Sequence, residues 1–180
     1  MKTLTTARLI IRPWYISDAD DLFEYASTPD VGPNAGWEPH RSRADSVNLI
    51  KNYFMRNFYH WAIVLPDLKK VIGGISVTPD PKRSYPLAKV LGYSMSKDYW
   101  GHGYMTEAAQ AVIQYAFRDL NINLLSIYHY SFNLRSKRVI EKCGFTYEGT
   151  LRLCSQPYAG VLHDDCCYSM TREEFDKLYF

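Results

Sequence analysis

The stretch from residue 88 to residue 132 constrains the fold more than any other part of the sequence. It reads as a strand, "AKVLGYSM" (88–95), then a glycine loop, a long amphipathic helix and a second strand, "LLSIYHYSF" (124–132). The helix is predicted because apolar residues recur at i, i+3, i+4 and i+7 from Met105 to Leu120. A strand, helix, strand crossover places its two strands parallel. The sequence therefore predicts an α/β fold whose glycine loop lies at the carboxyl end of a parallel strand, where such folds bind ligands.

The segments outside this stretch predict further strands and helices. The predicted strands are 8–13, 60–65, 70–77, 146–153 and 161–170. The predicted helix N-caps are Ser17, Ser42, Asn133 and Thr171, and Gly144 is predicted to end the helix over 134–142. Residues 28–40 contain too much Pro and Gly for regular structure and predict a loop. With no repeat or linker, the whole chain, 1–180, predicts one α/β domain with a mixed sheet flanked by helices.

Composition and charge exclude several classes of function. The 180 residues are 47% hydrophobic and 22% charged, as expected for one globular domain. Lys and Arg number 21 against 19 Asp and Glu, so the net charge of +2 gives no reason to expect a nucleic acid or an anionic membrane as partner. The N-terminal region lacks the apolar run of a signal peptide, and no stretch has the ~20 apolar residues of a membrane span. The four cysteines form no C-x-x-C pair, so we expect a reduced, cytoplasmic protein with no metal site.

The glycine loop, "GHGYMT" (101–106), is suited to binding phosphate. Successive backbone N–H groups in a glycine turn, backed by the positive end of a helix dipole, hold phosphate without a lysine. The dinucleotide fingerprint G-x-G-x-x-G/A does not fit because Thr106 stands at its third position, and the Walker motif is absent. Taken alone, the loop is equally consistent with a glycine turn that binds nothing.

A second motif lies downstream, in "NLRSKRVIEKCGF" (133–145). It places Asn133 at the end of the second parallel strand and Ser136 one turn into the next helix, so that the two strand ends could flank one ligand. The two motifs together resemble those of the GNAT superfamily of N-acetyltransferases, in which Q/R-x-x-G-x-G/A binds the pyrophosphate of acetyl-CoA. The matching residues here are "DYWGHG" (98–103). The start "TARLIIRPW", the stretch "YWGHGYMTEA" and the late "HDD" followed by Tyr168 are most similar to the Rim-type branch, which acetylates ribosomal-protein N-termini.

The resemblance implies a single GNAT-like domain in which two splayed parallel strands hold acetyl-CoA, the co-substrate. Loop amides would bind the pyrophosphate, and N–H groups at the end of the first strand would face the thioester oxygen. Asn133 matches the family residue that contacts the pantetheine arm, and Ser136 matches a position near the thiol, where it either orients the sulfur or protonates it. Lys137, Arg138 and Lys142 form a basic cluster that either meets the 3'-phosphate or is a solvated face. The implied cofactor-binding residues are Tyr93, Ser94, Met95, Ser96, Trp100, Gly101, His102, Gly103, Tyr104, Met105, Asn133, Ser136, Lys137 and Lys142; the implied catalytic residues are Ser136 and Asn133.

The acceptor predicted from the resemblance is a protein or peptide N-terminal α-amine. No general base stands out among the five histidines, and water suffices for an α-amine, whose pKa near 7.7–8.0 leaves a fair neutral fraction. Trp37, in the 28–40 loop, is expected to border the acceptor groove. Glu38 and Asp164 are candidates for steering the amine, although both could equally be surface or structural carboxylates.

One residue departs from the family motif. Asp98 stands where the motif has Gln or Arg, and a carboxylate would repel phosphate, so backbone amides must carry the binding. Three alternatives stay open. The acceptor could be a small amine such as a polyamine, an amino acid or a drug. The chain could be a CoA-binding module without chemistry, or a structural α/β domain, which would leave the paired motifs unexplained.

Overall fold

The computed structural model describes residues 1–57, 59–156 and 160–179, and it has the mixed α/β fold predicted from the sequence. Eight strands form one sheet in the order β1-β2-β3-β4-β5-β6-β8-β7. The strands are β1 (Leu4–Thr5), β2 (Ile10–Pro13), β3 (His60–Leu65), β4 (Lys70–Pro79), β5 (Ala88–Met95), β6 (Leu124–Tyr130), β7 (Thr146–Ser155) and β8 (His163–Thr171). The α-helices are α1 (Ala19–Ala26), α2 (Gly32–Ala35), α3 (Arg43–Leu49), α4 (Tyr104–Arg118), α5 (Leu134–Lys142) and α6 (Arg172–Tyr179).

The chain forms two compact units, each made of two segments. Residues 1–76 and 93–108 form the first unit, and residues 77–92 and 109–180 form the second. That one domain extends over the whole of 1–180 stays a prediction. Among the described residues, no helix combines the length and the apolar character needed to cross a membrane.

The first unit has an antiparallel ladder covered by helices α1 and α3. β2 pairs antiparallel with β3, and β3 forms an antiparallel hairpin with β4, at the strands predicted over 60–65 and 70–77. Trp14, Leu22, Tyr25 and Ile50 are buried together in a core cluster between these elements. Burying such large apolar side chains contributes about 1.5–3 kcal/mol each, so this cluster holds the helices to the ladder.

Two local predictions in the first unit are wrong. Ser17 is not a cap, because residues 16–18 form a 3₁₀ turn and the carboxylate of Asp18 accepts the N–H of Tyr15 at 2.8 Å. Arg12 also pairs with Asp18 at 2.7 Å and holds its carboxylate in this position. Residues 28–40 are not wholly a loop, since they contain the short helix α2, in which Pro occupies the first turn.

The second unit contains the parallel pair. β5 and β6 run parallel, with pairing at their amino ends from Ala88–Leu124 to Val90–Ser126, and β8 then pairs antiparallel with β6 and β7. The predicted caps hold in this unit: Asn133 accepts the N–H of Ser136 at 3.1 Å, and Thr171 donates its N–H to Glu174 at 2.7 Å. These local signals are strong because each cap satisfies a backbone group that the helix itself leaves without an acceptor or donor.

Candidate acetyl-CoA site

The glycine loop leaves the first turn of α4 open. After a 3₁₀ turn over 97–99, Gly101 and Gly103 have φ angles of +82° and +80°, which side chains other than glycine rarely adopt. The N–H of Glu107 donates to the carbonyl of Gly103 at 3.1 Å, so helical bonding starts there and the N–H groups of Tyr104–Thr106 have no acceptor within the helix. A Cβ built on Gly101 would meet no described atom within 4 Å. Open amides at the positive end of a 15-residue helix fit an anion such as a pyrophosphate.

Trp100, predicted to lie at the cofactor, is hydrogen-bonded within the protein through both its backbone and its side chain. Its N–H donates to the carbonyl of Lys97 at 3.1 Å, so it is used within the 3₁₀ turn. Its indole N–H donates to the carbonyl of Met95 at 2.8 Å and ties the loop to the end of β5. The Trp100 N–H is therefore already used within the protein, whereas Thr106 lies in the open first turn of α4; phosphate binding by this loop stays a prediction.

Arg8 is a cation beside the glycine loop that the sequence did not single out. Its guanidinium donates to the carbonyl of His102 at 3.0 Å and pairs with Glu107 at 2.6 Å. It lies over the ring of Tyr104, 4.5 Å from the centroid. A Cβ built on Gly103 would lie 3.5 Å from its Nη2. Only one weak signal could have pointed to it, an arginine at the start of an apolar strand.

The end of β5 lies against β4 with no room for a side chain at Gly73. A Cβ there would lie 2.5 Å from the carbonyl oxygen of Ser94 and 3.1 Å from the Cα of Met95. The N–H of Ser96, predicted to lie near the cofactor, donates to the carbonyl of Ile72 at 2.9 Å, so it is not open to a ligand. That backbone N–H groups of 93–95 face a thioester stays a prediction.

Two predicted acceptor residues lie in the first unit, near α2. The ring of Trp37 packs 5.5 Å from that of His40, and the Trp37 backbone and ring leave no space for a side chain on Gly32. Glu38 forms an ion pair with Arg41 at 2.5 Å, with half of the Glu38 side chain exposed. Trp37 is thus part of the packing of this segment, while Glu38 remains at the surface.

The second motif is built around the start of α5, in the second unit. Asn133 Oδ1 accepts the N–H of Ser136, which fixes both residues in the first turn of the helix. Lys137 lies 3.7 Å from Glu141, one turn on, and Lys142 is exposed in the last turn. Gly144 ends the helix with a φ of +83°, as predicted.

Asp164 has a structural contact in β8. Its carboxylate accepts the N–H of Leu153 at 2.8 Å, and Leu153 has a φ of +49°, so Asp164 stabilises an irregular point in β7. The adjacent Asp165 is the more deeply buried acid, and it contacts Lys82 at 2.5 Å and the hydroxyl of Ser155 at 2.7 Å. This pairing was missed because Lys82 lies 83 residues away in sequence.

Three of the five histidines are buried or engaged in hydrogen bonds within the protein. His40 Nδ1 lies 2.7 Å from the hydroxyl of Ser46, and burial lowers the pKa of His40. Burial lowers the pKa of His60 to about 4. His129 Nδ1 lies 2.8 Å from the carbonyl of Tyr130, so that nitrogen carries the proton and donates. These three histidines are therefore explained by packing and local hydrogen bonds.

The Acetyltransferase (GNAT) domain family matches residues 8–146 of this sequence, which include both motifs described above. The chain belongs to the GNAT acetyltransferase family. It is 28% identical to the uncharacterized N-acetyltransferase p20 of Bacillus licheniformis over 97% of this chain and 99% of that protein. It is also 28% identical to the [ribosomal protein uS5]-alanine N-acetyltransferase of Escherichia coli, over 81% of this chain and 79% of that enzyme.

The fold is also similar to that of solved GNAT acetyltransferases. A crystal structure of a GNAT-family acetyltransferase from Bacillus anthracis superposes with a TM-score of 0.84 at 24% identity, covering 96% of this chain and all of that one. The predicted family and fold class are confirmed. The chain is an N-acetyltransferase, and acetyl-CoA is its co-substrate.

Proposed function

We propose that this GNAT enzyme transfers the acetyl group from acetyl-CoA directly to the α-amine at the N-terminus of a protein or peptide. The observation that carries the choice of acceptor is that His40, His60 and His129 are held by packing or local hydrogen bonds. An acceptor that is already partly neutral needs no strong base. At pH 7 about a tenth of α-amines are neutral, against fewer than about one lysine ε-amine in a thousand. The relative that is named as an alanine N-acetyltransferase of a ribosomal protein supports the same acceptor class.

In the reaction, the neutral amine nitrogen attacks the thioester carbonyl carbon and the carbon–sulfur bond then breaks. The amine proton passes to water, and the departing thiolate of CoA takes up a proton. We assign stabilisation of the developing negative charge on the carbonyl oxygen to a backbone N–H group within Tyr93, Ser94 and Met95, at the end of β5. Losing one such donor typically lowers the rate about 10²–10³-fold.

The rest of the CoA molecule is assigned by the same proposal. The amides of 101–106 bind the pyrophosphate, supported by the open first turn of α4. Asn133 contacts the pantetheine arm, and Lys137 and Lys142 meet the 3'-phosphate. Ser136 orients the thiol; its place in the first turn of α5, held by the Asn133 cap, supports a fixed position.

The Ser136 assignment has its own test. Changing Ser136 to Ala is expected to lower kcat while the Kd of acetyl-CoA stays within about twofold, because the Asn133 cap uses the backbone of residue 136 and not its hydroxyl. Turnover equal to that of the parent would contradict the role given to this serine.

Trp37, Glu38 and Asp164 are proposed to border the acceptor. An exposed carboxylate such as Glu38 can attract the ammonium form of an approaching N-terminus, and Trp37 offers an apolar surface to the first side chain. Asp164 is the weakest of the three, since its carboxylate already binds the backbone of Leu153. We propose a cytoplasmic location, in keeping with four cysteines that are all free thiols.

The function is tested in two steps. Acetyl-CoA is expected to raise the melting temperature of the protein, because a ligand that binds only the native state stabilises it. Release of CoA thiol is then followed with a panel of peptides and small amines as acceptors. Release that depends on a free peptide N-terminus supports the proposal. Release with small amines alone would assign a small-molecule acceptor, and binding without any acceptor-dependent release would indicate a CoA-binding module.

A further inference from the structure

Arg8 reaches the glycine loop from the other end of the chain. It lies just before β2, and Glu107, its partner in α4, is 99 residues away in sequence. The Arg8 Nε donates to Glu107 Oε2 at 2.7 Å, Nη2 lies 2.6 Å from the same oxygen, and Nη1 donates to the carbonyl of His102 at 3.0 Å. These contacts fix the plane of the guanidinium beside the loop.

The guanidinium keeps hydrogen-bonding capacity beside the glycine loop. Of its five N–H bonds, the contacts to Glu107 and His102 use one on each nitrogen, which leaves one on Nη1 and one on Nη2. The side chain of Arg8 is 47% exposed, and Nη2 is 3.5 Å from the position that a Gly103 Cβ would occupy. A planar cation with two N–H bonds therefore borders the same surface as the glycine amides.

Acidic side chains near the loop favour a cation there for the binding of an anionic ligand. Asp98 and Glu107 both lie on the loop and the first turn of α4, and each carries a negative charge. Lys97, the neighbouring cation, is paired with Asp30 at 3.0 Å. Without Arg8, a pyrophosphate would approach two carboxylates with only backbone dipoles to offset them. Guanidinium is also the side-chain group best matched to phosphate oxygens.

We propose that Arg8 binds the pyrophosphate of acetyl-CoA together with the amides of 101–106, and takes the part of the Gln or Arg for which this chain has Asp98. This inference rests on the proposed acetyl-CoA site. Glu107, which accepts the hydroxyl of Thr6 at 2.6 Å and the backbone N–H of Arg8 at 2.9 Å, is the positioning residue that holds the guanidinium in place.

The test measures the Kd of CoA and of pantetheine, which lacks all the phosphates, for the parent, Arg8→Gln, Arg8→Lys and a matched control, Arg43→Gln. Arg43 makes a similar two-point ion pair with Asp20 and is 52% exposed, but it belongs to α3. We expect Arg8→Gln to raise the Kd of CoA about 10- to 100-fold, the effect of losing a hydrogen bond between charged groups. Arg8→Lys should recover part of that loss, and Arg43→Gln should change nothing.

The phosphate-free ligand separates direct binding from a structural effect. Direct contact with the pyrophosphate predicts that the Kd of pantetheine is the same in the parent and in Arg8→Gln. An equal loss for both ligands, or a Kd of CoA within twofold of the parent, would overturn the role of Arg8 while leaving the proposed function standing. Failure of the parent itself to bind CoA would overturn both proposals together.

Discussion

Replacing Gly73 with Ala should push β4 away from the carboxyl end of β5. We expect this backbone displacement to lower the catalytic rate, although Gly73 has no side chain that could take part in the reaction. The new Cβ would lie 2.5 Å from the carbonyl oxygen of Ser94, whereas tolerable contacts begin near 3.4 Å, so the strands must part by about 0.9 Å. Both atoms are held by backbone, so the strain cannot be relieved by turning a side chain. Overpacking of this kind costs ~1–3 kcal/mol of stability.

The catalytic consequence follows from the place of Ser94. Its strand end is proposed to hold the thioester oxygen, and a displacement of about 1 Å in a reacting geometry can lower the rate as much as 100-fold. We therefore expect Gly73→Ala to lower kcat/KM for acetyl-CoA by at least tenfold. Urea unfolding measures the stability change, and steady-state release of CoA thiol measures the rate.

Gly74→Ala is the matched control in the adjacent position. Its Cβ would lie 3.0 Å from Cζ2 of Trp14, a side-chain atom, so a shift of a few tenths of an ångström relieves the contact. A smaller loss of stability and a nearly unchanged kcat/KM are expected. If Gly73→Ala and Gly74→Ala behaved alike in both measurements, the reasoning about the β4–β5 contact would be refuted.

Three further predictions concern single side chains. Burial lowers the pKa of His60 in the folded protein to about 4, so between about pH 4 and 6.5 the unfolded state binds more protons than the folded state. The free energy of unfolding should therefore fall by up to about 3 kcal/mol as the pH drops through that range. Urea unfolding at several pH values should show this slope for the parent and no such slope for His60→Leu. Burial alone would raise the pKa of Glu107, but hydrogen bonds from Thr6 and Arg8 outweigh burial and lower the pKa. The ionised carboxylate therefore contributes its full stabilisation of the folded state above about pH 4.5, and this contribution is lost as the pH falls. In the same urea experiments, Glu107→Gln should reduce the loss of stability at low pH. Asn133→Ala should cost about 1 kcal/mol in urea unfolding by removing the α5 cap, whereas Asn133→Asp should retain most of it; equal losses would show that the cap is not the cause.

The parts of the fold that follow from local physical chemistry could be read from the sequence. The helix after the glycine loop, the caps at Asn133 and Thr171, and the strand Ala88–Met95 depend on periodicity and on side chains that bond within a few residues. The positive φ angles of the glycine loop, on which the proposed anion site depends, likewise come from its own glycines.

The features that were missed depend on ion pairs whose formation the sequence alone does not show. Arg8 meets Glu107, 99 residues away, only after β2 and α4 have folded together, and its place at the start of an apolar strand is only a weak local signal. Ser17 lost its expected capping role because Asp18, held by Arg12, already binds the backbone at that turn. These ion pairs form only in the folded chain, so the sequence does not show which charged residues they engage.

The central claim is tested most directly by one peptide that offers two amines. A peptide with a free N-terminal alanine and an internal lysine is incubated with the enzyme and acetyl-CoA, and the acetyl group is located by tandem mass spectrometry. If the acceptor is the partly neutral α-amine, the acetyl group will be found at the N-terminus and the lysine will be unmodified. The same peptide with its N-terminus already acetylated will give no product. Acetylation of the lysine, or transfer only to small amines in a parallel reaction, would contradict it.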